Sequence, residues 1–276
     1  MKQQITFLVV FILFCASDIY VYKPNSLEGK NLKGEIKNIT KLKSVLNYDA
    51  GKQTTENTIE TYDRNGRMLE LRKLKNHKLF SRINYHYSAE GVLDHSTETN
   101  PDGSRFLSIT YKYDENGFLR SKRFNRAEQR KYDSERQKTE VEYEQYYNNL
   151  FTEVLYKCDY KGYKLEEKFL KQNKQLSYKL TYKYDYKYQL VELKYYNSKG
   201  QAGKRTKYRY NQEGDVLESK TYISNRLALS SSYSYTYDAR KNWVSRTEKR
   251  KLGDNFFASD MDTSNILTQR IIAYYN

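Results

Sequence analysis

The sequence predicts an all-β protein, a single elongated, twisted or coiled antiparallel meander of repeated β-hairpins. Three observations predict it. A tyrosine–aspartate signature recurs at nearly constant spacing, the residues leading into each copy alternate aromatic with polar, and turn-forming residues follow each copy. The signature starts at Tyr62, Tyr87, Tyr113, Tyr132, Cys158, Tyr184, Tyr210 and Tyr237, so successive starts differ by 25, 26, 19, 26, 26, 26 and 27 residues. A fixed period means that each unit is one supersecondary element that buries its apolar face only against its neighbours.

The chain divides into three stretches. Residues 1–17 read as a signal peptide: Lys2 is the positive start, Ile5 to Phe14 the apolar run, and Cys15-Ala16-Ser17 the small residues before a cleavage site. The run is shorter than the roughly 20 residues a helix needs to cross a bilayer. Cys15 raises the alternative of a lipoprotein anchor, although Phe14 is large for the position before a lipidated cysteine. Residues 18–47 form a lead-in, with Lys23-Pro24-Asn25-Ser26 as a tether and Leu32 to Leu46 as a degenerate cap of weak alternation. Residues 48–276 form the repeat domain.

Within that domain the strand of each unit comes first. Ile83, Tyr85 and Tyr87 share one face, as do Ile109, Tyr111 and Tyr113, then Leu180, Tyr182 and Tyr184, then Tyr233, Tyr235 and Tyr237. Such alternation is a half-buried strand. Turn chemistry follows: Asp63 with Gly66, Asp114 with Gly117, and Asp159 with Gly162, while Gly91 and Gly214 serve close variants and Lys241 takes the glycine place in the last copy. The aspartate binds backbone N–H groups ahead of it, and glycine supplies the positive φ of a short hairpin loop. A second strand follows, such as Val216 to Tyr222, and a polar loop such as Asn197-Ser198-Lys199-Gly200 leads on. The charged Glu128–Glu144 stretch, which holds the 19-residue spacing, reads as an irregular insertion or a short helix. Seven or eight hairpins give about 14–16 strands, and open sheets seldom exceed about ten strands without curling, so a coiled sheet is expected.

The run Tyr111 to Gly117, Tyr-x-Tyr-Asp-x-x-Gly, and the closing Tyr237-Asp238-Ala239-Arg240-Lys241-Asn242-Trp243 resemble the YD-repeat, or RHS-repeat, family. Arg270 to Tyr275 is similar to the end of small exported repeat proteins of Bacteroidetes-type bacteria. The resemblance implies a hairpin-repeat sheet over residues 48–276. It does not imply the toxin-enclosing shell of large members, for which the chain is too short and has only Pro24 and Pro101 as prolines.

Composition narrows the chemistry. The formal charge is +15, spread over all units, which disfavours a nucleic-acid footprint and suits lysines that keep exposed strand faces soluble. Cys158 stands at a signature tyrosine position and reads as a core substitute. His77, His86 and His95 lack the clustered pattern of a zinc site and read as solvated surface groups, so neither metal nor cofactor is expected. No phosphate loop or serine elbow occurs, and a non-enzymatic protein is expected.

The surplus of tyrosine is the functional lead. Tyr146, Tyr147, Tyr186, Tyr188, Tyr195 and Tyr196, with Tyr160 and Tyr163, fall outside the regular ladder. Exposed aromatic rings beside polar donors stack on sugars or peptide groups. The expectation is an exported protein that binds a polysaccharide or an envelope protein, placed in the periplasm, on the outer-membrane surface or secreted. The competing expectation is a purely structural or assembly component of the cell envelope with no small ligand.

Overall fold

A computed structural model describes residues 32–47, 52–75, 77–126, 151–253 and 263–275. Tyr132, the Glu128–Glu144 stretch, Cys15 and the expected signal peptide lie outside the described residues. Among those described, the chain forms sixteen strands and no helix. They are β1 (Ile36–Asn47), β2 (Lys52–Tyr62), β3 (Met68–Lys75), β4 (Lys78–Tyr87), β5 (Leu93–Thr99), β6 (Arg105–Tyr113), β7 (Leu119–Arg126) and β8 (Phe151–Cys158). The second half is β9 (Lys164–Lys171), β10 (Leu176–Tyr184), β11 (Leu190–Asn197), β12 (Ala202–Tyr210), β13 (Val216–Ile223), β14 (Arg226–Tyr237), β15 (Trp243–Leu252) and β16 (Thr263–Tyr274).

Each strand pairs antiparallel with its sequence neighbours, and β1 also pairs with β16, from Ile36 opposite Tyr274 to Val45 opposite Ile266. The sheet is therefore a closed barrel. The meander expected from the sequence is present, but the open, coiled form is not. The reason lies in the bulges. In seven hairpins the register shifts beside the signature turn, between Thr61/Tyr62, His86/Tyr87, Lys112/Tyr113, Lys157/Cys158, Lys183/Tyr184, Arg209/Tyr210 and Thr236/Tyr237 of the strand that enters it. A bulge bends its strand and increases local twist, and regularly repeated bulges curve a sheet toward closure. Closure also satisfies both edges, which an open sheet would leave unpaired.

The signature turns all lie at one rim. In the Asp114 turn, Asn116 and Phe118 donate their N–H groups to Asp114 Oδ1 at 3.0 and 2.9 Å, and Gly117 N–H donates to the Asp114 carbonyl at 3.0 Å. Gly117 has φ 78°, where only glycine is unstrained. Aspartates 159, 185 and 238 and Asn211 build the same turn. Tyrosine recurs for a related reason. Tyr87, Tyr113 and Tyr210 donate their hydroxyls to the carbonyls of Met68, Leu93 and Leu190, each beside the bulge of the preceding hairpin, at 2.7–2.8 Å. A bulge disrupts the ladder, and the next unit's tyrosine supplies the missing donor.

Strand alternation sends one set of side chains inward and the other outward. Tyr85, Tyr87, Tyr111, Tyr113, Tyr182, Tyr184, Tyr208 and Tyr210 share the inner face, with Tyr156 and Cys158 in register beside them. Burial of this face raises the Cys158 thiol to about 11. Two apolar clusters line it: Ile36, Ile39, Tyr62 and Met68, and then Leu93, Tyr111, Leu119, Val154 and Tyr156. Each joins neighbouring strands, so the core runs along the wall.

The outward face is charged. Glu70 pairs with Arg72 and Arg82, Glu153 with Arg123 and Lys174, Glu166 with Lys168 and Lys179, Glu192 with Lys194 and Arg205, and Glu218 with Arg209 and Lys220. On the β4–β5 hairpin the outward pair is instead His86 and His95, whose rings stack at 4.3 Å and 9°. His77 sits in the tight β3–β4 turn at φ 64°.

Candidate functional site

Two adjacent signature turns carry nearly the same residues. Asp159-Tyr160-Lys161-Gly162-Tyr163 joins β8 to β9, and Asp185-Tyr186-Lys187-Tyr188-Gln189 joins β10 to β11. Because β9 pairs with β10, the 26-residue repeat sets the two turns side by side at the rim. In the first, glycine is needed twice over: Gly162 has φ 87°, and a Cβ there would lie 2.7 Å from the Phe118 ring. In the second, a tyrosine takes the equivalent position, with Tyr188 at φ 59°.

A bulky residue in that region is strained by about 1–3 kcal/mol. Its contacts offset the strain. The Tyr188 ring stacks on Tyr163 with centroids 4.4 Å apart and planes 27° from parallel. Its hydroxyl lies 3.2 Å from the Tyr160 hydroxyl. The Lys161 ammonium sits 4.1 Å from the Tyr188 ring centre. Hydrogen bonding to Lys161, then to Tyr160, lowers the Tyr188 pKa below the usual phenol value, and the bond to Tyr188 raises that of Lys161.

The result is a platform open to water. Tyr160 is 79% exposed and Tyr186 85% exposed, and Lys187 lies 5.6 Å from the Tyr186 ring centre. The Tyr160 and Tyr188 hydroxyls and the Lys161 ammonium stand together, and Tyr186 and Lys187 lie on the same turn as Tyr188. This set can stack on a planar or pyranose face and hydrogen-bond to hydroxyls at its edge.

Of the other tyrosines expected to form a binding surface, Tyr195 and Tyr196 face opposite ways. Tyr195 points inward and stacks near Tyr178 at 5.5 Å, whereas its neighbour Tyr196 points outward beneath Lys179 at 4.8 Å. Adjacent strand residues face opposite ways, so these two cannot share a surface. Tyr146 and Tyr147 lie outside the described residues. Sequence reasoning missed Lys161 and Lys187, although the repeated Asp-Tyr-Lys string was visible. It also missed the inner aromatic row of Phe124, Phe151, Phe169 and Tyr178, whose successive centroids are 4.0–5.2 Å apart. Among the described residues no group of three or more His, Cys, Asp or Glu could hold a metal ion. A depression of about 420 Å³ on the outer wall, between Lys183, Glu192, Lys207 and Glu218, lies among the ion-paired side chains.

No family model matches the chain, and no curated protein does. Among solved structures, the chain is similar to a porin-like protein from Bacteroides uniformis, with a TM-score of 0.56 and 12% identity over 93% of this chain and 100% of that one. A porin-like protein from Bacteroides vulgatus matches with a TM-score of 0.45 and 11% identity over 88% and 99%. The first likeness gives the fold, a porin-like barrel. It corrects the YD-repeat, or RHS-repeat, assignment: no such family model matches, and the chain closes on itself as a sixteen-strand barrel. The signature misled because Tyr-Asp-x-x-Gly describes a bulged hairpin and its tyrosine staple. Any curved antiparallel meander can use that device.

Proposed function

We propose that this chain is an exported, envelope-associated, non-enzymatic barrel that binds a glycan through the rim platform of Tyr160, Lys161, Tyr186 and Tyr188. The observation that carries the reading is Tyr188. It occupies a strained turn position that glycine fills in the neighbouring turn, and there it completes an exposed aromatic surface. Export is supported by the residue order of 1–17, and envelope association by the porin-like fold.

The barrel faces water rather than lipid on its outer wall. A membrane-spanning barrel carries an outward apolar band about 25 Å tall. Here the outward positions of β3–β13 carry five glutamates, each beside two cations.

The test is affinity electrophoresis and calorimetry of the purified chain against soluble envelope polysaccharides. Retention that disappears in Tyr160→Ala/Tyr186→Ala, with unchanged melting, is expected. Retention unaffected by that double variant would remove the platform from the site, and no retention on any polysaccharide would end the glycan reading.

A further inference from the structure

The outer wall is not uniform. After the bulge the first outward residue is Glu70, Glu166, Glu192 or Glu218 in β3, β9, β11 and β13, whereas it is His95 in β5, Ser121 in β7 and Ser245 in β15, and only around β15 does the uncharged run cross five strands. The change extends across the closure of the barrel. The outward residues of β14 are Ser232, Ser234 and Thr236, and those of β15 begin Ser245 and Thr247. On β16, β1 and β2, Leu267, Gln269 and Ile271 lie beside Ser44, Leu42 and Thr40, which face Thr55, Asn57 and Ile59. Among the described residues, the central outward positions of these five strands hold no acid or base. Lys249 and Lys251 mark one border of the patch, and Glu70 and Arg72 another. Ile271 is 64% exposed and Leu267 38% exposed within it.

We propose that this uncharged seam is the contact surface between two copies of the chain. Three observations select that occupant. First, the chain carries +15, and the outer wall of β7–β13 carries rows of ion-paired side chains, so another copy meets less repulsion and desolvation at the seam than there. Second, five strands at about 4.8 Å spacing, with about five residues each rising about 3.3 Å, bound a patch of roughly 400 Å². Two such patches bury on the order of 800 Å², the size of a weak, transient contact. Third, the seam mixes two exposed aliphatic residues with serine, threonine, asparagine and glutamine. Lipid would leave those hydroxyls and amides unpaired, whereas the same patch on a second copy offers partners for them.

Sedimentation equilibrium of the purified full chain, from low to high micromolar concentration, tests this. A monomer–dimer equilibrium is expected. Ile271→Lys and, independently, Thr247→Arg should each leave a monomer with an unchanged circular-dichroism spectrum. Leu155→Lys, at an outward residue 38% exposed in the charged sector, should dimerise like the parent. A parent that stays monomeric, or a dimer insensitive to both seam variants, overturns the proposal. So does flotation of the parent with phosphatidylcholine vesicles that Ile271→Lys abolishes, since the seam would then face lipid.

Discussion

Glu192 on the outer wall and Glu167 on the inner wall lie one repeat apart and each holds a lysine, yet they do different work. Glu192 sits beside Lys194 and Arg205, whose side chains are 38% and 33% exposed. Glu167 is 6% exposed, pairs with Lys164 and accepts the Tyr182 hydroxyl at 2.8 Å. In water an ion pair contributes about 0–1 kcal/mol and serves solubility. Within a wall, removing one partner strands a buried charge, and the loss grows to about 3–5 kcal/mol. The comparison teaches that the barrel's stability resides in its inner face, while its outer face sets what surrounds it.

The sharpest break of that comparison is at Tyr62. It is fully buried, its hydroxyl donates to Glu60 at 2.6 Å, and Glu60 in turn pairs with Lys41 of β1 at 2.8 Å. Tyr62→Ala should cost about 3–5 kcal/mol in urea unfolding. Glu192→Gln should cost less than about 1 kcal/mol. Similar midpoints for the two variants would abolish the distinction between the walls.

A second test concerns an inner charge that opposes stability. Lys122 lies inside the wall, 5.4 and 5.7 Å from the ring centres of Tyr111 and Tyr156. Burial, with Lys164 nearby, lowers its pKa to about 8. The unfolded chain therefore binds the proton more readily between pH 8 and the ordinary lysine value. The associated stability is present above that ordinary value and is lost as pH falls through about 8. Lys122→Met should be more stable than the parent at pH 7, by on the order of 1–3 kcal/mol. The gap should close as pH rises past 10. A gap independent of pH would show that packing, not charge, makes the difference.

Next in size is the hydroxyl staple. Tyr113→Phe keeps the ring and leaves the Leu93 carbonyl without its donor, which should cost about 1 kcal/mol. Hydrogen exchange should quicken around the β4–β5 bulge. No change there would mean that the tyrosine recurs for its ring alone.

Much of this was legible in the residues, because turn chemistry is local. Asp114 and Gly117 announce their own hairpin, and the period of 26 places equivalent turns at one rim. Closure was not legible. It depends on β1, where the inward residues are Ile39, Lys41 and Lys43, so the alternation that marks the other strands is blurred by lysines that find Glu60 and Glu56. The candidate site was half legible. Tyr186 and Tyr188 stood out as irregular, but the partnership of Tyr188 with Tyr160 needs two turns one repeat apart to lie side by side. Tyr195 and Tyr196 read as a pair only until strand alternation separates them. The glutamates at 166, 192 and 218 repeat at the same period, but the face they occupy is set by the bulge beside each turn, which the residues alone do not show.

The smallest effect tests the outer wall at a departure from the glutamate pattern. On the β4–β5 hairpin His86 faces His95, where the β10–β11 hairpin sets Lys183 opposite Glu192. Partial burial lowers the His86 pKa, and the facing His95 lowers it further, against a smaller opposing pull from Asp94. A depressed folded pKa means that this hairpin's contribution is complete above the ordinary imidazole value and fades as pH falls through the folded one. An NMR titration should place the His86 midpoint below 6.5. His95→Glu should restore the pattern of the β10–β11 hairpin and replace repulsion by attraction. The His86 midpoint should then rise above the ordinary value, and the slope should reverse: the contribution is present at low pH and lost as pH rises through the new midpoint. Because the pair lies in water, salt should flatten both curves. If His95→Glu leaves the His86 midpoint where it was, facing residues on the outer wall do not feel one another's charge, and the ion-pair rows there are decoration for solubility alone.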